Sequence, residues 1–364
     1  MTDHPYKNPK LIADSTTLKP GSVAWKSPSN IALIKYWGKY GVQLPRNPSI
    51  SFTLSNACTE THLSYAPRKQ LDAQISLQFL FDNKENDRFK KKIVAFLASL
   101  QEIFPFIRQM SWEINTRNSF PHSAGIASSA SAMSALALCL CDVEHKLFGT
   151  LADEQAFKKK ASYIARLGSG SACRSVYPHL AVWGEFAPLP EASNLYAVPF
   201  EDAHPVFHQF HDDILLISQS EKSVSSRAGH SLMDGNVYAD NRYAQARQHL
   251  YALSAALKQG DLDTFGRITE AEALTLHALM MSSNPPYILM KPNTLAAIEK
   301  IQAYRASENV PLYFSLDAGP NLHLLYPHSE KEKVQDFIQN ELAKYCQDGA
   351  WLADEVGSGP VKII

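Results

Sequence analysis

Residues 120–133 read Phe120-Pro-His-Ser-Ala-Gly-Ile-Ala-Ser-Ser-Ala-Ser-Ala-Met133. The stretch opens with Pro121, passes through Gly125, and runs through Ala127, Ser128, Ser129, Ala130 and Ser131 into the apolar segment Met133 to Leu140. This is the pattern of a loop feeding a helix N-terminus that holds an anion. The first four amides of a helix have no partner inside it, and the helix dipole adds partial positive charge at that end. Small side chains let phosphate oxygens reach the backbone, and the hydroxyls of Ser128, Ser129 and Ser131 add donors. The same residues also suit a serine N-cap on an ordinary buried helix. The surrounding chain separates the two readings.

Upstream, Val23 to Trp37 reads as extended, and a turn with Gly41 and Pro45 follows. Ser49 to Leu54 alternates as a strand with Ile50, Phe52 and Leu54 on one face, and Thr61 to Tyr65 and Gln74 to Phe81 are further strands. Asp87 to Ile103 has helical spacing, and Ser111 to Thr116 is a strand leading into the serine-rich loop. Downstream, helices are predicted at Ser128–Lys146 and Leu151–Arg166, and a strand at Val176 to Phe186. Pro188, Pro190 and Pro199 mark a looser region. The boundary placed there gives an N-terminal extension (1–22), a phosphate-loop domain (23–200) and a C-terminal α+β domain (201–364). In the last, a strand at Asp213 to Ser220 precedes helical patterns near 238–258 and 261–283. A helix at Thr294–Ala306, a strand pair around Tyr313–Tyr326 and a helix at Lys331–Cys346 complete the chain. Strands and helices mix without strict βαβ alternation, so the fold class is α+β.

The chain has 364 residues, too many for one small core, with 45% hydrophobic and 20% charged residues. Its net charge of -1 gives no bulk attraction to nucleic acid or an anionic membrane, so any anionic ligand must be held by locally placed donors. Met1 to Pro20 lacks the apolar core of a signal peptide, and no apolar run is long enough to span a membrane. Five scattered cysteines argue against disulfides and zinc and fit a reducing cytoplasm.

Three further segments carry chemistry. In Ser27-Pro-Ser-Asn-Ile-Ala-Leu-Ile-Lys-Tyr-Trp-Gly-Lys39, Lys35 and Lys39 stand in a largely apolar stretch around Tyr36, Trp37 and Gly38. Such lysines either snorkel from a half-buried strand or meet an anion or carboxylate. In Arg166-Leu-Gly-Ser-Gly-Ser-Ala-Cys-Arg174, Ser169, Ser171 and Arg174 supply donors, and Arg174 is able to clamp a carboxylate or phosphate. In Ser315-Leu-Asp-Ala-Gly-Pro-Asn321, Asp317 ends an apolar strand. It is either a turn-initiating aspartate or a carboxylate buried near Lys35 that orients or deprotonates a hydroxyl. No Walker A motif or complete dinucleotide fingerprint is present. The histidines show no metal-ligand spacing, and His230 and His277 read as pocket-lining or helix-surface residues.

Together these segments resemble the galactokinase–homoserine kinase–mevalonate kinase–phosphomevalonate kinase superfamily, and within it the diphosphomevalonate decarboxylases. The superfamily loop Pro-x-x-x-Gly-Leu-x-Ser-Ser-Ala is matched by Pro121-His-Ser-Ala-Gly125-Ile-Ala-Ser128-Ser129-Ala130, with Ile126 for Leu. The decarboxylase-like parts are Asn30-Ile-Ala-x-x-Lys35-Tyr-Trp-Gly-Lys39, Leu44-Pro-x-Asn-x-Ser-x-Ser51, Gly168-Ser-Gly-Ser-Ala-Cys-Arg174-Ser, Val224-Ser-Ser226 and Asp317-Ala-Gly-Pro-Asn321. The resemblance implies a two-domain fold with the active site in the cleft between domains. It implies ATP- and Mg²⁺-dependent conversion of mevalonate 5-diphosphate to isopentenyl diphosphate, carbon dioxide, ADP and phosphate, by a cytoplasmic homodimer.

By the same resemblance Asp317 is the catalytic carboxylate and Lys35 its partner. Arg174 grips the substrate carboxylate. Tyr36, Trp37, Lys39, Ser169, Ser171 and Ser225 bind substrate. Pro121, Gly125, Ala127, Ser128, Ser129 and Ser131 form the nucleotide phosphate loop, with Ser129 near Mg²⁺ and the γ-phosphate. Departures from the family pattern are His122 inside the loop, Tyr177-Pro178-His179 after the arginine motif, and Arg227 where a threonine is usual. The rival readings are a mevalonate 5-phosphate decarboxylase or a mevalonate 3-kinase on the same fold, and a catalytically silent nucleotide-binding scaffold. The Lys35 and Asp317 pair argues against a pure kinase.

Overall fold

The computed structural model describes residues 5–14, 16, 18–68, 74–121, 126–220 and 224–364. Gly125 and His122 of the predicted phosphate loop lie outside the described residues. The first half of the chain runs β1 (Gly21–Ala32), β2 (Lys39–Tyr40), β3 (Leu44–Pro45), β4 (Ser49–Pro67), β5 (Ser76–Phe81) and β6 (Lys84–Glu85). It continues through α1 (Asp87–Ser99), β7 (Met110–Asn118), α2 (Ser128–Phe148), α3 (Glu154–Gly168), β8 (Leu180–Trp183) and β9 (Ala197–Pro199). The two strands expected over 49–54 and 61–65 are one continuous strand. Its first part pairs with β8 and the end of β1, and its second part with β7 and the start of β1. A register shift between Pro28 and Asn30 lets β1 follow both parts.

Helix α2 is buried on nearly every face from Ser134 to Glu144, which explains its apolar run. It packs with α1 and α3 over the sheet, in a core that includes Leu97, Ile107, Leu138, Ile164 and Trp183. The segment before β1 joins this core through Leu11 and through Tyr6, whose ring lies 5.0 Å from that of Tyr163.

The second half runs β10 (Phe210–Leu215), α4 (Ser226–Ser231), α5 (Ala239–Gln259), α6 (Leu262–Met281), α7 (Pro292–Glu308), β11 (Tyr313–Leu316), β12 (Leu322–Pro327), α8 (Lys331–Phe337), β13 (Trp351–Leu352) and β14 (Val361–Lys362). The antiparallel order is β11-β12-β10-β13. The helix expected over 331–346 keeps its regular winding only to Phe337, then loosens over Ile338–Leu342 and tightens over Ala343–Tyr345. The strand expected to reach Ser220 leaves its ladder after Leu215, where the amide of Leu216 turns to the carbonyl of Ala350. The chain end returns to the first half, where β14 pairs with β1.

Apolar packing joins the halves. Phe52 stacks within 5.8 Å of Phe210, and Phe265 lies 5.0 Å from Phe207 and 5.1 Å from Phe210. These rings share a cluster with Ile31, Ile50, Leu250 and Leu325. Above it, the chain leaving β1 turns into a cleft between the halves.

Candidate active site

β1 ends at Ala32 rather than continuing to Trp37, because the backbone of Lys35 is held by the other half of the molecule. The Lys35 amide donates to Glu272 Oε2 at 2.8 Å, and its carbonyl accepts from Arg242 Nη2 at 2.9 Å. Asn47 Nδ2 donates to the same carbonyl at 3.1 Å. Glu272, buried on α6, also accepts from both terminal nitrogens of Arg242 and shares a 2.7 Å hydrogen bond with His249 Nδ1. Burial favours the protonated carboxyl of Glu272, but Arg242 and its other donors prevail and hold it below the ordinary glutamate range.

This clamp aims the Lys35 side chain at Asp317. Nζ lies 3.1 Å from Asp317 Oδ1, with the lysine side chain 2% and the aspartate side chain 25% exposed, so the carboxylate is the member that reaches the cleft. Burial pulls the Lys35 ammonium below the ordinary lysine range, and Asp317 and Glu272 oppose that shift. Asp317 leaves β11 into a turn fixed by Asn321, whose side chain exchanges two hydrogen bonds with the Ser218 backbone. His277 Nε2 contacts the Asp317 carbonyl at 3.1 Å.

Arg174, in the short helical turn Gly170–Val176, is buried at 1% exposure. Its guanidinium donates to Ser51 Oγ at 2.9 Å, Ser49 Oγ at 2.6 Å and Asn30 Oδ1 at 3.3 Å. All three acceptors are neutral. A buried cation on neutral acceptors is costly, and burial draws the Arg174 pKa down. The arrangement suits an incoming anion.

One end of the cavity is aromatic and cationic. The Tyr36 ring packs against Trp183 and His230, with centroids 4.7 and 4.5 Å away. Gly170 permits this approach, since a Cβ there would stand 2.4 Å from Tyr36 Oη. Burial raises the Tyr36 pKa, keeping its hydroxyl a donor. Lys39 Nζ donates to Gln43 at 2.7 Å, and its pKa is pulled to about 8 by burial and then by Arg227.

The main cavity has a volume of about 230 Å³. It brings together Lys35, Tyr36, Trp37, Lys39, Ala127, Ser129, Ser169, Ser171, Arg174 and Asp317, all singled out in the sequence. Ser226 and Arg227 also face it, while Ser225 caps α4 by accepting from the Ala228 amide at 3.2 Å. A second, apolar cavity of about 160 Å³ holds Phe79, Phe81, Phe89, Ile93 and Met133, with Ser128 on its wall. Ser129 borders both cavities, and its Oγ lies 3.2 Å from that of Ser169. Ser131 does not reach the main cavity, because its hydroxyl is buried against Thr59 at 2.6 Å. Pro121 is exposed beside the undescribed loop residues. Tyr177-Pro178-His179, a departure in the sequence, lies under the C-terminal tail: the His179 amide donates to Gly357, and Thr53 Oγ1 donates to the Tyr177 carbonyl.

The donor set fits a magnesium nucleotide. Helix α2 is preceded by Ala127, a left-handed residue at φ 41° that makes no side-chain cap, so the first amides of the helix are free of that competitor. No group of three or more His, Cys, Asp or Glu side chains among the described residues is arranged to hold a metal. Magnesium characteristically takes much of its shell from phosphate oxygens and water, and Ser129 lines the cavity at the start of α2.

Sequence reading missed the Glu272, Arg242 and His249 clamp, whereas His230, read as pocket-lining or helix-surface, lines the main cavity. One signal was available for Glu272: it falls on the same helical stripe as Phe265, Ile268, Leu276 and Leu279, all buried. A carboxylate on a buried stripe needs partners.

Comparison with known proteins identifies the family. Residues 27–188 match the family described as "Diphosphomevalonate decarboxylase-like N-terminal domain", and residues 214–355 match "Mevalonate 5-diphosphate decarboxylase C-terminal domain". A diphosphomevalonate decarboxylase of Ganoderma lucidum is 31% identical over 357 residues, covering 91% of this chain and 84% of the relative. The mevalonate diphosphate decarboxylase structure from Staphylococcus aureus superposes with a TM-score of 0.80 at 28% identity, covering 95% of this chain and 98% of that one. A structure described as MDDEF in complex with MVAPP, AMPPCP and magnesium has a TM-score of 0.79 at 28% identity, covering 94% and 99%. With both domain families matched in order and the superfamily's two-domain fold in place, the chain belongs to the diphosphomevalonate decarboxylase family.

Proposed function

We infer that this protein carries out the ATP-dependent decarboxylation of mevalonate 5-diphosphate to isopentenyl diphosphate in the mevalonate pathway. The observation that carries the reading is the Lys35–Asp317 pair, its lysine buried and its carboxylate reaching the same cavity as Arg174, a buried guanidinium whose hydrogen-bond acceptors are all neutral. A tertiary hydroxyl is a poor leaving group, so it is first phosphorylated. Asp317 orients the substrate 3-hydroxyl and accepts its proton as the oxygen attacks the γ-phosphorus, and ADP leaves. Lys35 keeps the carboxylate in place and supplies compensating charge. The Ser129 hydroxyl, with the nucleotide's own phosphate oxygens, would hold Mg²⁺, which would supply charge neutralisation there. The 3-phosphate then leaves with the C–O bonding pair. The pair of the adjacent C–C bond becomes the new double bond, and carbon dioxide is released.

Arg174 holds the substrate carboxylate, with Ser169 and Ser171 as further donors on the same wall. Tyr36, Trp37, Lys39 and the Ser225–Arg227 segment hold the diphosphate end. The apolar cavity bounded by Phe79, Phe81, Phe89 and Met133 shares Ser129 with the main one, and it takes the nucleotide base beside phosphates bound at the start of α2. The division at 200 and 201 leaves the cleft between the two halves, with residues 1–22 as an extension whose Tyr6, Leu11 and Leu18 pack on the first. Two cations at one end, Lys39 and Arg227, favour a diphosphate over the rival monophosphate.

The protein works in the cytoplasm as a homodimer in this reading. All five cysteines are buried and unpaired, which suits a reducing compartment, and no helix among the described residues is long and apolar enough to cross a membrane. Exposed apolar side chains at Met281, Ile288 and Leu295 offer surface to a second copy, which sedimentation velocity would detect.

The deciding experiment couples ADP and carbon dioxide release with ATP and Mg²⁺, comparing mevalonate 5-diphosphate, mevalonate 5-phosphate and mevalonate. Equimolar ADP and carbon dioxide from the diphosphate is expected. Preference for the monophosphate, or ADP without carbon dioxide, would reassign the reaction.

A further inference from the structure

We propose that His230 donates a hydrogen bond from Nε2 to the 5-diphosphate of the substrate and thereby helps the enzyme prefer a diphosphate to a monophosphate. The inference rests on the cavity being the mevalonate 5-diphosphate site. It concerns a residue that spacing alone left as a lining histidine.

The imidazole is fixed in place and in tautomer. It lies between the Tyr36 and Trp37 rings, with centroids 4.5 and 4.4 Å away, so it has little freedom to turn. Its Nδ1 accepts the Gly38 amide at 3.0 Å, and an amide only donates, so Nδ1 carries no proton. The ring proton of the neutral form therefore sits on Nε2. That nitrogen has no hydrogen-bond partner among the described residues and is not sealed off, and His230 lines the main cavity. The Nε2–H is thus a prepared donor opening towards the end that holds Lys39 and Arg227.

Burial and the neighbouring Lys39 hold the imidazole well below its usual pKa, so it stays neutral in the empty protein. A neutral donor has a physical advantage here. A third cation beside Lys39 and Arg227 would repel both in the absence of ligand, whereas an N–H dipole adds a charge-assisted bond to the phosphate without that cost. A base role is excluded by the same geometry, since one nitrogen already bears the proton and the other is engaged by an amide.

The test uses calorimetric binding of mevalonate 5-diphosphate, mevalonate 5-phosphate and ATP to the full-length protein. In His230→Asn, the side-chain oxygen replaces Nδ1 as acceptor for Gly38 and nothing replaces Nε2–H. In His230→Gln, the amide nitrogen reaches the Nε2 position. His230→Asn is expected to weaken diphosphate binding about tenfold, to weaken monophosphate binding less, and to leave ATP binding within about twofold. His230→Gln is expected to recover most of the loss. Diphosphate binding by His230→Asn within about twofold of wild type would overturn the proposal and leave the proposed reaction standing. Wild-type protein that binds ATP but not mevalonate 5-diphosphate would overturn both. Should the variants fail to fold, the imidazole Nε2–H resonance of ¹⁵N-labelled wild type provides the reading. It is expected to move downfield on adding mevalonate 5-diphosphate, and an unmoved resonance would overturn the proposal.

Discussion

Lys35 Nζ lies 3.1 Å from Asp317 Oδ1 although 282 positions separate the two residues in the chain. One comes from the segment leaving β1 and the other from the end of β11, so the contact exists only when both halves are folded and joined. Removing either member separates chemistry from packing. Asp317→Asn preserves shape but accepts no proton, and kcat is expected to fall by about 10²–10⁴, with a lowered melting temperature because the buried Lys35 ammonium loses its carboxylate. Lys35→Met removes a costly buried ammonium but leaves the Asp317 carboxylate without it, so it is expected to lower activity strongly with a small change in stability, since that carboxylate is partly exposed. Full activity in Asp317→Asn would remove the carboxylate from the mechanism.

Arg174 donates to three neutral oxygens from two elements, a fork that an ammonium cannot reproduce. Arg174→Lys is therefore expected to raise KM for the substrate at least about tenfold, with KM for ATP little changed. Steady-state kinetics with each substrate varied in turn would show the split, and an equal rise in both would point to general damage.

At Gly170 an added Cβ would stand 2.4 Å from Tyr36 Oη and 2.8 Å from the Trp183 ring. Trp183 is fully buried and Tyr36 is partly buried and packed between Trp183 and His230, so neither has much room to withdraw. Gly170→Ala is expected to cost about 1–3 kcal/mol and to weaken substrate binding by displacing Tyr36. Urea unfolding checks the first effect, and calorimetry with mevalonate 5-diphosphate the second.

The Lys39 ammonium, pulled to about 8, loses its proton within the working range of most enzymes. The charged form attracts the diphosphate, so kcat/KM is expected to fall as pH rises through about 8. Lys39→Arg keeps a positive charge at all these pH values and is expected to move the alkaline limb upward. A limb that does not move assigns the titration to another group.

Asp213 behaves oppositely to a salt-bridged carboxylate. Burial raises its pKa to about 6 against an ordinary 3.8, only partly offset by donors from Tyr326, Gln335 and the Asp354 amide. Between those values the folded protein holds a proton that the unfolded chain has lost, so this group's contribution to stability is present below about pH 4 and is lost as pH rises to about 6. The loss is about 3 kcal/mol. Asp213→Asn is expected to lack this step in denaturant midpoints measured from pH 4 to pH 7, relative to wild type.

Much of this was legible in the chain. Periodicity located α2, α3, α5, α6 and α7, because each has a buried stripe or a buried surround that repeats with the helix. The resemblance carried by four separated segments named residues that the fold gathers into one cavity, among them Lys35, Lys39, Ser129, Arg174 and Asp317. Gly170 is visible in the chain, but not the tyrosine it makes room for.

Tertiary structure decided what spacing leaves open. Whether Lys35 snorkels or meets a carboxylate, and whether Asp317 merely starts a turn, depends on which side chains lie opposite, and the partners come from distant segments. The same holds for Ser131: as a loop serine it looked able to meet a phosphate, yet its hydroxyl faces Thr59 inside the sheet–helix interface. Glu272, Arg242 and His249 share no motif with Lys35, and only folding makes them its backbone clamp. A sequence states what each side chain is able to donate, accept or bury. Which of those capacities is used is settled by the dielectric and the neighbours that the complete fold supplies.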